Sequence, residues 1–317
     1  MRHVFILNPA AGKKQSALAL IPDIEETCRR LNVDYTVHVT DGPGHATTLA
    51  RQEADKGDAV RLYACGGDGT LLEVFSGMAH ADNAELGCIP CGSGNDFVRT
   101  LPHPENHRNI AAQVLGTAHR LDSVRCNGIP SLNLCSMGVD ADVAMRMVKY
   151  KHLPLVSGSM AYNLALVDTF LRPLGQKLRI VMDTVDGPVE REGQYMFALA
   201  ANGQYYGGGY HGSPLSQADD GLLDFVLIEK VSHLKMLTIL GKYKRGEHLD
   251  LPICETFRGT SMTVYADKPA VVTADGECFT TPEVTFTLKP ASLSFVYPAS
   301  TEMLNNYEMC GKCAVTP

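Results

Sequence analysis

Apolar and polar residues follow two different patterns along the first half of the chain. Nearly continuous apolar runs at 2–8, 58–67 and 85–92 are typical of buried strands, whereas the apolar positions within 16–31 recur at helical spacing. These strand and helix patterns alternate, with short loops between them. Such alternation predicts a parallel sheet covered by helices on both faces, with ligands bound at the carboxyl ends of the strands.

The rhythm changes near residue 119, and from Lys177 onward the pattern is mostly that of strands. Three Asp-Gly pairs predict hairpin-like turns between these strands: Asp186-Gly187, Asp220-Gly221 and Asp275-Gly276. Between the two halves, the apolar segment 145–174 has a helical pattern. The second half therefore predicts an all-β domain of the sandwich or barrel kind.

A chain of 317 residues is long enough for two domains. The patterns predict the fold class α/β + all-β, with an N-terminal three-layer α/β domain over residues 1–125 and a β-rich domain over residues 126–296. The C-terminal tail 297–317 is a candidate to complete the first domain. If a nucleotide binds, the parallel sheet is where it is expected.

Composition and charge narrow the class of protein. Hydrophobic residues make up 45% and charged residues 20%, and 28 basic against 35 acidic residues give a net charge of −7. This balance argues against a nucleic-acid partner, which would favour a basic surface. No apolar stretch approaches a membrane span, and the short apolar run at the start lacks the pattern of a signal peptide, so we expect a cytoplasmic protein.

Ten cysteines include two CxxC pairs, Cys88–Cys91 and Cys310–Cys313. Two such pairs can supply the four thiolates of a structural zinc site. The first pair, however, lies in an apolar strand-like run and contains Pro90. In a reducing cytoplasm we therefore favour the interpretation that most cysteines are small buried hydrophobic residues.

The stretch GGDGT follows a buried strand and carries four residues of interest, Gly66, Gly67, Asp68 and Gly69. Its glycines leave room for a ligand against bare backbone N–H groups. Thr70 and Glu73 have the spacing of a capping box, which predicts a helix that begins at Thr70 and offers a phosphate site at its N-terminus. Asp68 would repel a phosphate unless it holds Mg²⁺ or handles a proton.

Two similar turns follow neighbouring strands, at Asn8–Gly12 and Cys91–Phe97, and Ser93 with Asp96 repeats the capping-box spacing. Each turn alone is compatible with a plain strand-to-helix connection, but three of them at one sheet edge predict a shared crevice. Farther along, Asp275 and Glu277 flank a glycine and bring two carboxylates near each other. This arrangement suits a general base, although the segment alone favours a hairpin turn with a solvated glutamate.

Taken in order, NPxxG, GGDGT, GSGNDF and DGE resemble the motifs of the diacylglycerol kinase catalytic family, in particular the soluble bacterial lipid kinases related to sphingosine and ceramide kinases. The resemblance covers nearly the whole chain. It implies that the γ-phosphate of ATP is transferred to a lipid hydroxyl and that Mg²⁺ is required. The positions that match the ATP-binding motifs of the family are Asn8, Pro9, Ala10, Ala11, Gly12, Thr40, Gly66, Gly67, Asp68, Gly69, Thr70, Leu71, Leu72, Ser93, Gly94, Asn95 and Asp96.

The resemblance also implies catalytic roles for Glu277 as proton acceptor, for Asp275 beside it, and for Asp68 as a residue that positions metal or acceptor. A magnesium site is implied at Gln217, Asp220 and Leu222, with backbone oxygens contributing, and Asp219 is an alternative ligand.

A lipid alcohol at a membrane surface is the implied partner, and the apolar stretch from Lys149 to Leu174 is a candidate lipid-facing surface or, alternatively, a core helix.

Two alternatives stay open at this stage. An NAD kinase-like or other small-molecule kinase would keep Asp68 without needing the GSGNDF motif, and a non-catalytic nucleotide or lipid sensor would be expected to lose the carboxylates, which are present. The sequence does not distinguish diacylglycerol, phosphatidylglycerol, ceramide or another alcohol as acceptor. It also leaves open whether the protein is a monomer or a homodimer.

Overall fold

The computed structural model describes residues 1–12, 16–92, 94–151, 153 and 158–305. The chain divides into two compact units. The first unit contains Met1–Leu121 and the segment from Ser292 onward, and the second contains Asp122–Ala291. No helix in the described part of the chain is long and apolar enough to cross a membrane.

The first unit is built on a parallel sheet. Its strands are β1 (Arg2–Leu7), β2 (Tyr35–Val39), β3 (Val60–Gly66) and β4 (Ala84–Pro90), in the spatial order β2-β1-β3-β4. Its helices are α1 (Ile21–Leu31), α2 (His45–Ala54), α3 (Asp68–Met78) and α4 (Ile110–Val114). Strands β1, β3 and β4 are almost entirely buried, which explains why their sequences are continuous apolar runs and do not alternate.

Aromatic stacking fixes the centre of this sheet. The rings of Phe5 and Tyr63 on neighbouring strands stack with centroids 4.4 Å apart, and the Tyr63 hydroxyl contacts His3 Nδ1 at 2.8 Å. Within the described residues, the capping-box spacing of Ser93 and Asp96 does not begin an α-helix. Only a 3₁₀ turn forms there, at Phe97–Arg99, because prolines follow at 102 and 104 and exclude a continuing helix.

The second unit is mostly antiparallel. Its strands are β5 (Thr117–Cys126, which begins in the first unit), β6 (Ile129–Ser131), β7 (Leu134–Gly138), β8 (Gln176–Thr184), β9 (Gly187–Ala201), β10 (Tyr205–Tyr206), β11 (Tyr210–His211), β12 (Leu223–Glu229), β13 (Cys254–Ala274) and β14 (Glu277–Tyr297, which ends in the first unit). Its helices are α5 (Val139–Lys151), α6 (Gly158–Phe170) and α7 (His233–Arg245). The predicted fold class is confirmed: a parallel α/β region is followed by a β-sandwich domain.

Two of the three predicted Asp-Gly hairpin turns are present, and the third is wrong. Asp186-Gly187 joins β8 to β9 and Asp275-Gly276 joins β13 to β14, both as antiparallel hairpins. Asp220-Gly221 does not join two paired strands. It lies in the loop before β12, where the N–H of Gly221 donates to Asp122 Oδ2 at 2.8 Å, so this loop is held by a side chain and not by a hairpin ladder.

One helix was missed by the strand-dominated interpretation of the second half. Helix α7 begins after Ser232, whose hydroxyl accepts the N–H of Lys235, and ends at Gly246 in the left-handed conformation. Its buried residues are Met236, Ile239 and Tyr243, which recur at helical spacing. The N-cap serine and C-cap glycine were the available sequence signals.

Candidate functional site

Three loops at the carboxyl ends of neighbouring parallel strands contact one another in the first unit. They are the first loop (residues 8–12), the second loop (residues 66–70) and the third loop (residues 91–97). Asn8 Nδ2 donates to Thr70 Oγ1 at 3.0 Å, which joins the first loop to the second. The N–H of Asp68 donates to the Gly94 carbonyl at 3.1 Å, which joins the second loop to the third. The expected convergence of the three turns is therefore present.

Glycine is required where these loops touch. A Cβ atom on Gly92 would lie 2.3 Å from the Cα of Gly67, and one on Gly12 would lie 2.2 Å from the carbonyl oxygen of Cys91. Gly69 differs, since no described atom lies within 4 Å of where its Cβ would be. The loops thus pack backbone against backbone and leave open space in front of Gly69.

Helix α3 begins at Asp68 and not at Thr70, so the predicted capping box is wrong. The N-cap is Gly67, which has no side chain to satisfy the first helical N–H groups. Thr70 is instead buried and accepts the bond from Asn8, while Glu73 accepts the N–H of the second residue of α2 at 3.2 Å. An eleven-residue helix that begins without a capping side chain presents backbone N–H groups suited to an anion.

Asp68 holds the third loop against the second. Its Oδ2 accepts the N–H of Asp96 at 3.0 Å, and its Oδ1 accepts the N–H of Phe97 at 3.4 Å. A Cβ on Gly94 would lie 3.0 Å from the same carboxylate. Whatever else Asp68 does, its side chain organises these loops.

The remaining residues of the third loop are polar and partly buried. Asn95 Nδ2 donates to the Gly92 carbonyl at 2.9 Å, whereas Asn95 Oδ1 is buried and has no hydrogen-bond partner among the described residues. Asp96 is only 3% exposed, and Arg99 Nη1 lies 3.4 Å from its Oδ1. Ser93, which the sequence also assigns to this loop, lies outside the described residues.

The first loop is shaped by Asn8. Its Oδ1 accepts the N–H of Ala10 at 3.0 Å and its carbonyl accepts the N–H of Ala11 at 3.1 Å. Pro9 is half-buried, while Ala10 and Gly12 are exposed, so the tip of the loop is accessible.

Three further predicted nucleotide positions are buried. Thr40 donates its N–H to the Leu7 carbonyl at 2.9 Å, and Leu71 and Leu72 are buried residues of α3. The structure places the Leu71 and Leu72 side chains in the interior, so any contact with a nucleotide would come from their backbone.

In the second unit, the Asp275-Gly276 turn has both residues at positive φ, 49° and 94°. The Asp275 carboxylate accepts three backbone N–H bonds, from Leu132 (2.6 Å), Asn133 (3.0 Å) and Leu134 (3.1 Å). Burial raises the pKa of this carboxyl, and the three amide donors oppose that rise. The turn is thereby fixed to the start of β7.

Glu277 is the first residue of β14 and its side chain is exposed. It lies directly after the fixed turn, opposite Ala274 in the ladder. Burial raises the pKa of the neighbouring Cys278 thiol, and the charges of Glu277, Asp140 and Asp142 raise it further. These three carboxylates are therefore close enough to influence one thiol.

Asp140, at the start of α5, was missed by the sequence analysis. Its Oδ2 accepts the Ser136 hydroxyl at 2.6 Å and the Tyr206 hydroxyl at 3.1 Å, and Tyr206 contacts the Tyr243 hydroxyl at 2.8 Å. Burial raises the pKa of the Asp140 carboxyl. The available signals were the four-residue spacing of Ser136 and Asp140 and the two aspartates at the start of a helix, but the tyrosines come from distant segments.

At the predicted magnesium site, one polar side chain is exposed and the other already has hydrogen-bond partners. Gln217 has an exposed side chain, as does the alternative ligand Asp219. Asp220 accepts the N–H of Leu222 at 3.0 Å with one oxygen and is paired with Arg258 through the other. Among the described residues, no group of three or more His, Cys, Asp or Glu side chains is arranged to hold a metal ion.

The first CxxC pair is buried in the sheet. Cys88 and Cys91 are 3% and 7% exposed, and burial raises the pKa of both thiols, which favours the neutral thiol over the thiolate that zinc requires. Cys310 and Cys313 lie outside the described residues. The geometry of the first pair supports the interpretation of packed hydrophobic residues.

Two family models match the chain. The diacylglycerol kinase catalytic domain matches residues 2–126, and the YegS C-terminal NAD kinase beta sandwich-like domain matches residues 133–297. The first match contains the three loops, and the second contains the Asp275-Gly276 turn. Each match thus includes one of the two groups of residues described above.

Curated relatives and a solved structure agree with these matches. The chain is 31% identical to a diacylglycerol kinase of Mycobacterium tuberculosis over 314 residues, which cover 94% of this chain and 93% of that protein. It is 27% identical to a diacylglycerol kinase of Staphylococcus saprophyticus over 274 residues, which cover 86% and 87%. A crystal structure of a diacylglycerol kinase from Bacillus anthracis has the same fold, with a TM-score of 0.68 at 22% identity over 93% of this chain and 96% of that one.

Proposed function

Because the chain belongs to the diacylglycerol kinase catalytic family, we propose that it is an ATP-dependent lipid kinase. It transfers the γ-phosphate of ATP to a lipid hydroxyl, with an acceptor of the diacylglycerol type. The names of the relatives support this acceptor. The observation that carries the proposal is the cradle of three glycine-containing loops around the uncapped N-terminus of α3.

The phosphates of the nucleotide bind to this cradle. Backbone N–H groups at the start of α3 face the anion, and the space in front of Gly69 admits it to the backbone. The close contact between Gly67 and Gly92 keeps the loops in register before the nucleotide arrives. Such preorganisation lets fixed amides stabilise the charge that develops during transfer.

The oxygen donors of the cradle fit Mg²⁺. The Asp68 carboxylate and the buried Asn95 Oδ1, which has no hydrogen-bond partner among the described residues, are oxygen ligands of the kind that this ion prefers. When bound with ATP, Mg²⁺ supplies neutralising charge for the phosphates. Asp68 keeps its second task, since its two amide bonds hold the third loop in place.

Glu277 accepts the proton of the acceptor hydroxyl while the hydroxyl oxygen forms a bond to the γ-phosphorus and ADP leaves. Its exposure gives a substrate access to the carboxylate. Asp275 acts differently: three amide bonds occupy its carboxylate, so we assign it as a positioning residue that fixes the turn before Glu277.

The acceptor is reached at a membrane surface through the helices of the second unit. Several large apolar side chains on or next to α5 and α6 are exposed: Val148, Leu153, Met160, Leu164, Val167 and Leu171. Leu171 is 82% exposed, far more than a core helix would allow, and the exposed Lys149 is available to contact lipid headgroups. The opposite side of α6 is packed through Ala161 and Ala165, so the helix has one buried and one exposed apolar face.

A labelled-ATP assay tests the proposal. Wild-type protein, Glu277→Gln and the matched control Glu283→Gln are incubated in parallel with diacylglycerol vesicles, phosphatidylglycerol, ceramide and soluble NAD. Glu283 is also an exposed glutamate on β14, six residues after Glu277. We expect label in lipid with the wild type and the control. Label in NAD alone, or in no acceptor, would overturn the assignment of a lipid kinase.

A further inference from the structure

We infer that the guanidinium of Arg258 occupies the place, beside Asp220 and Asp224, where the family resemblance implies a magnesium ion. This corner of the second unit therefore binds no divalent metal. The guanidinium of Arg258 contacts two carboxylates there. Its Nη2 is paired with Asp220 Oδ2, and its Nε lies 3.3 Å from Asp224 Oδ1. The inference concerns the second unit alone and does not depend on the proposed kinase activity.

Strand pairing fixes the position of this cation. Arg258 stands directly opposite Asp224 in the antiparallel β12–β13 ladder, between the pairs Leu223–Gly259 and Phe225–Phe257. The Arg258 carbonyl also accepts the N–H of Val185 at 2.9 Å. The guanidinium thus projects from a strand held on both sides, and its place follows from the fold rather than from a loop conformation.

Three of the carboxylate oxygens at this corner accept backbone N–H bonds, and two others contact Arg258. Asp220 accepts the N–H of Leu222 at 3.0 Å with the oxygen that does not meet Arg258. Asp122, beside the same loop, accepts the N–H of Gly221 at 2.8 Å and the N–H of Ala291 at 2.7 Å. The Gln217 side chain is exposed. Mg²⁺ is usually bound through one or two carboxylates together with several waters, and at this corner Arg258 already contacts an oxygen of both Asp220 and Asp224.

Charge gives a second reason. Two carboxylates close together repel each other, and the planar guanidinium can bond to both at once. A divalent ion brought beside the guanidinium would meet a like charge at short range. Asp224 Oδ2 is buried without a hydrogen-bond partner among the described residues, and it is the oxygen that a metal could reach if Arg258 were absent.

Thermal unfolding of the full-length protein without nucleotide tests this inference. Melting temperatures are measured in EDTA and in millimolar MgCl₂ for the wild type, Arg258→Gln and Arg179→Gln. Arg179 is a matched control because it pairs with a glutamate on the surface of the same sheet and is similarly exposed, 48% against 43%. We expect the wild type to melt at the same temperature in both buffers.

Arg258→Gln should melt about 2–8 °C lower in EDTA, because two partly buried carboxylates lose their shared partner, and MgCl₂ should restore part of the loss. Arg179→Gln should change less and should not respond to Mg²⁺. If Arg258→Gln fails to fold, Arg258→Lys keeps the charge and should fold without a response to Mg²⁺.

Two results would overturn the inference. One is stabilisation of the nucleotide-free wild type by MgCl₂ that is lost in Asp220→Asn, which would show that an ion binds at this corner despite Arg258. The other is an Arg258→Gln variant with the melting temperature of the wild type in EDTA, or one whose lowered melting temperature MgCl₂ does not raise. Either result would show that the guanidinium does not occupy a position suited to a metal ion.

Discussion

The second loop of the first unit and the Asp275-Gly276 turn of the second unit each place an aspartate beside a glycine. In both regions the carboxylate accepts backbone N–H bonds from another segment. Asp68 accepts two, from residues 96 and 97, and Asp275 accepts three, from residues 132–134. Both aspartates hold a neighbouring segment in place.

The two regions differ in which group beside the aspartate is accessible to a substrate. Beside Asp68 the accessible feature is backbone: the start of α3 and the open space in front of Gly69. Beside Asp275 it is the exposed side chain of Glu277. One region is therefore suited to a phosphate-binding surface, and the other to a single group that takes a proton. This division predicts that substitutions in the two regions separate nucleotide binding from turnover.

The largest effect is expected for Glu277→Gln. Loss of a general base should lower turnover by ~10²–10⁴-fold, because the amide cannot accept the hydroxyl proton. The dissociation constant for ATP, measured by titration calorimetry, should stay unchanged, since the nucleotide is assigned to the other region. A parallel loss of ATP affinity would contradict the division between the two regions.

Asp275→Asn is expected to affect stability as well as turnover. The substituted amide cannot accept three N–H bonds as the carboxylate does, so the free energy of unfolding should fall by about 2–3 kcal/mol. Asp186→Asn is the matched control, because Asp186 occupies the corresponding position of another Asp-Gly hairpin and is exposed. Urea unfolding of both variants measures the difference, and equal stability would show that the three amide contacts contribute little.

The contrast between these regions also shows what could be predicted from the sequence. Buried parallel strands such as β3 have continuous apolar sequences, and the turns that follow neighbouring strands must meet at one edge. The α/β region and the convergence of its loops were therefore predictable from local patterns. The Asp275-Gly276 hairpin was predictable for a similar reason, because the turn chemistry is contained in two adjacent residues.

The remainder depends on contacts between distant segments. Thr70 and Glu73 have the spacing of a capping box, but Thr70 bonds to Asn8 and Glu73 bonds to α2. Because these tertiary contacts occupy both side chains, they do not cap α3, which begins at Asp68. The position of Arg258 opposite Asp224 is set by strand register, which a single sequence does not reveal.

Gly69→Ala is expected to have a moderate effect confined to the nucleotide. Apart from its chain neighbours and its own helix backbone, no described atom lies within 4 Å of the added methyl group, so the melting temperature should not fall. If the phosphates occupy the space in front of Gly69, the methyl group should weaken ATP binding by about tenfold, or about 1.4 kcal/mol. Gly42→Ala, also in open space, is the control and should bind ATP normally. Unchanged affinity in Gly69→Ala would place the phosphates elsewhere.

The smallest effect per residue is the loss of folding stability when the pH is lowered, and we expect it from one buried histidine in each unit. Burial lowers the pKa of His107 in the first unit and of His248 in the second to about 4, from an ordinary value of 6.5. The unfolded chain therefore takes up protons between these values while the folded chain does not. Stability is full above pH 6.5 and falls as the pH drops toward 4. From about pH 7.5 to 5.5 each histidine should cost about 1 kcal/mol.

Urea unfolding at these two pH values measures the acid effect. His107→Asn should show a shallower dependence than the wild type. If the acid sensitivity belongs to buried imidazoles in both units, His248→Asn should have the same effect as His107→Asn. If the free energy of unfolding depends on pH in both variants as it does in the wild type, other groups and not these two histidines cause the acid sensitivity.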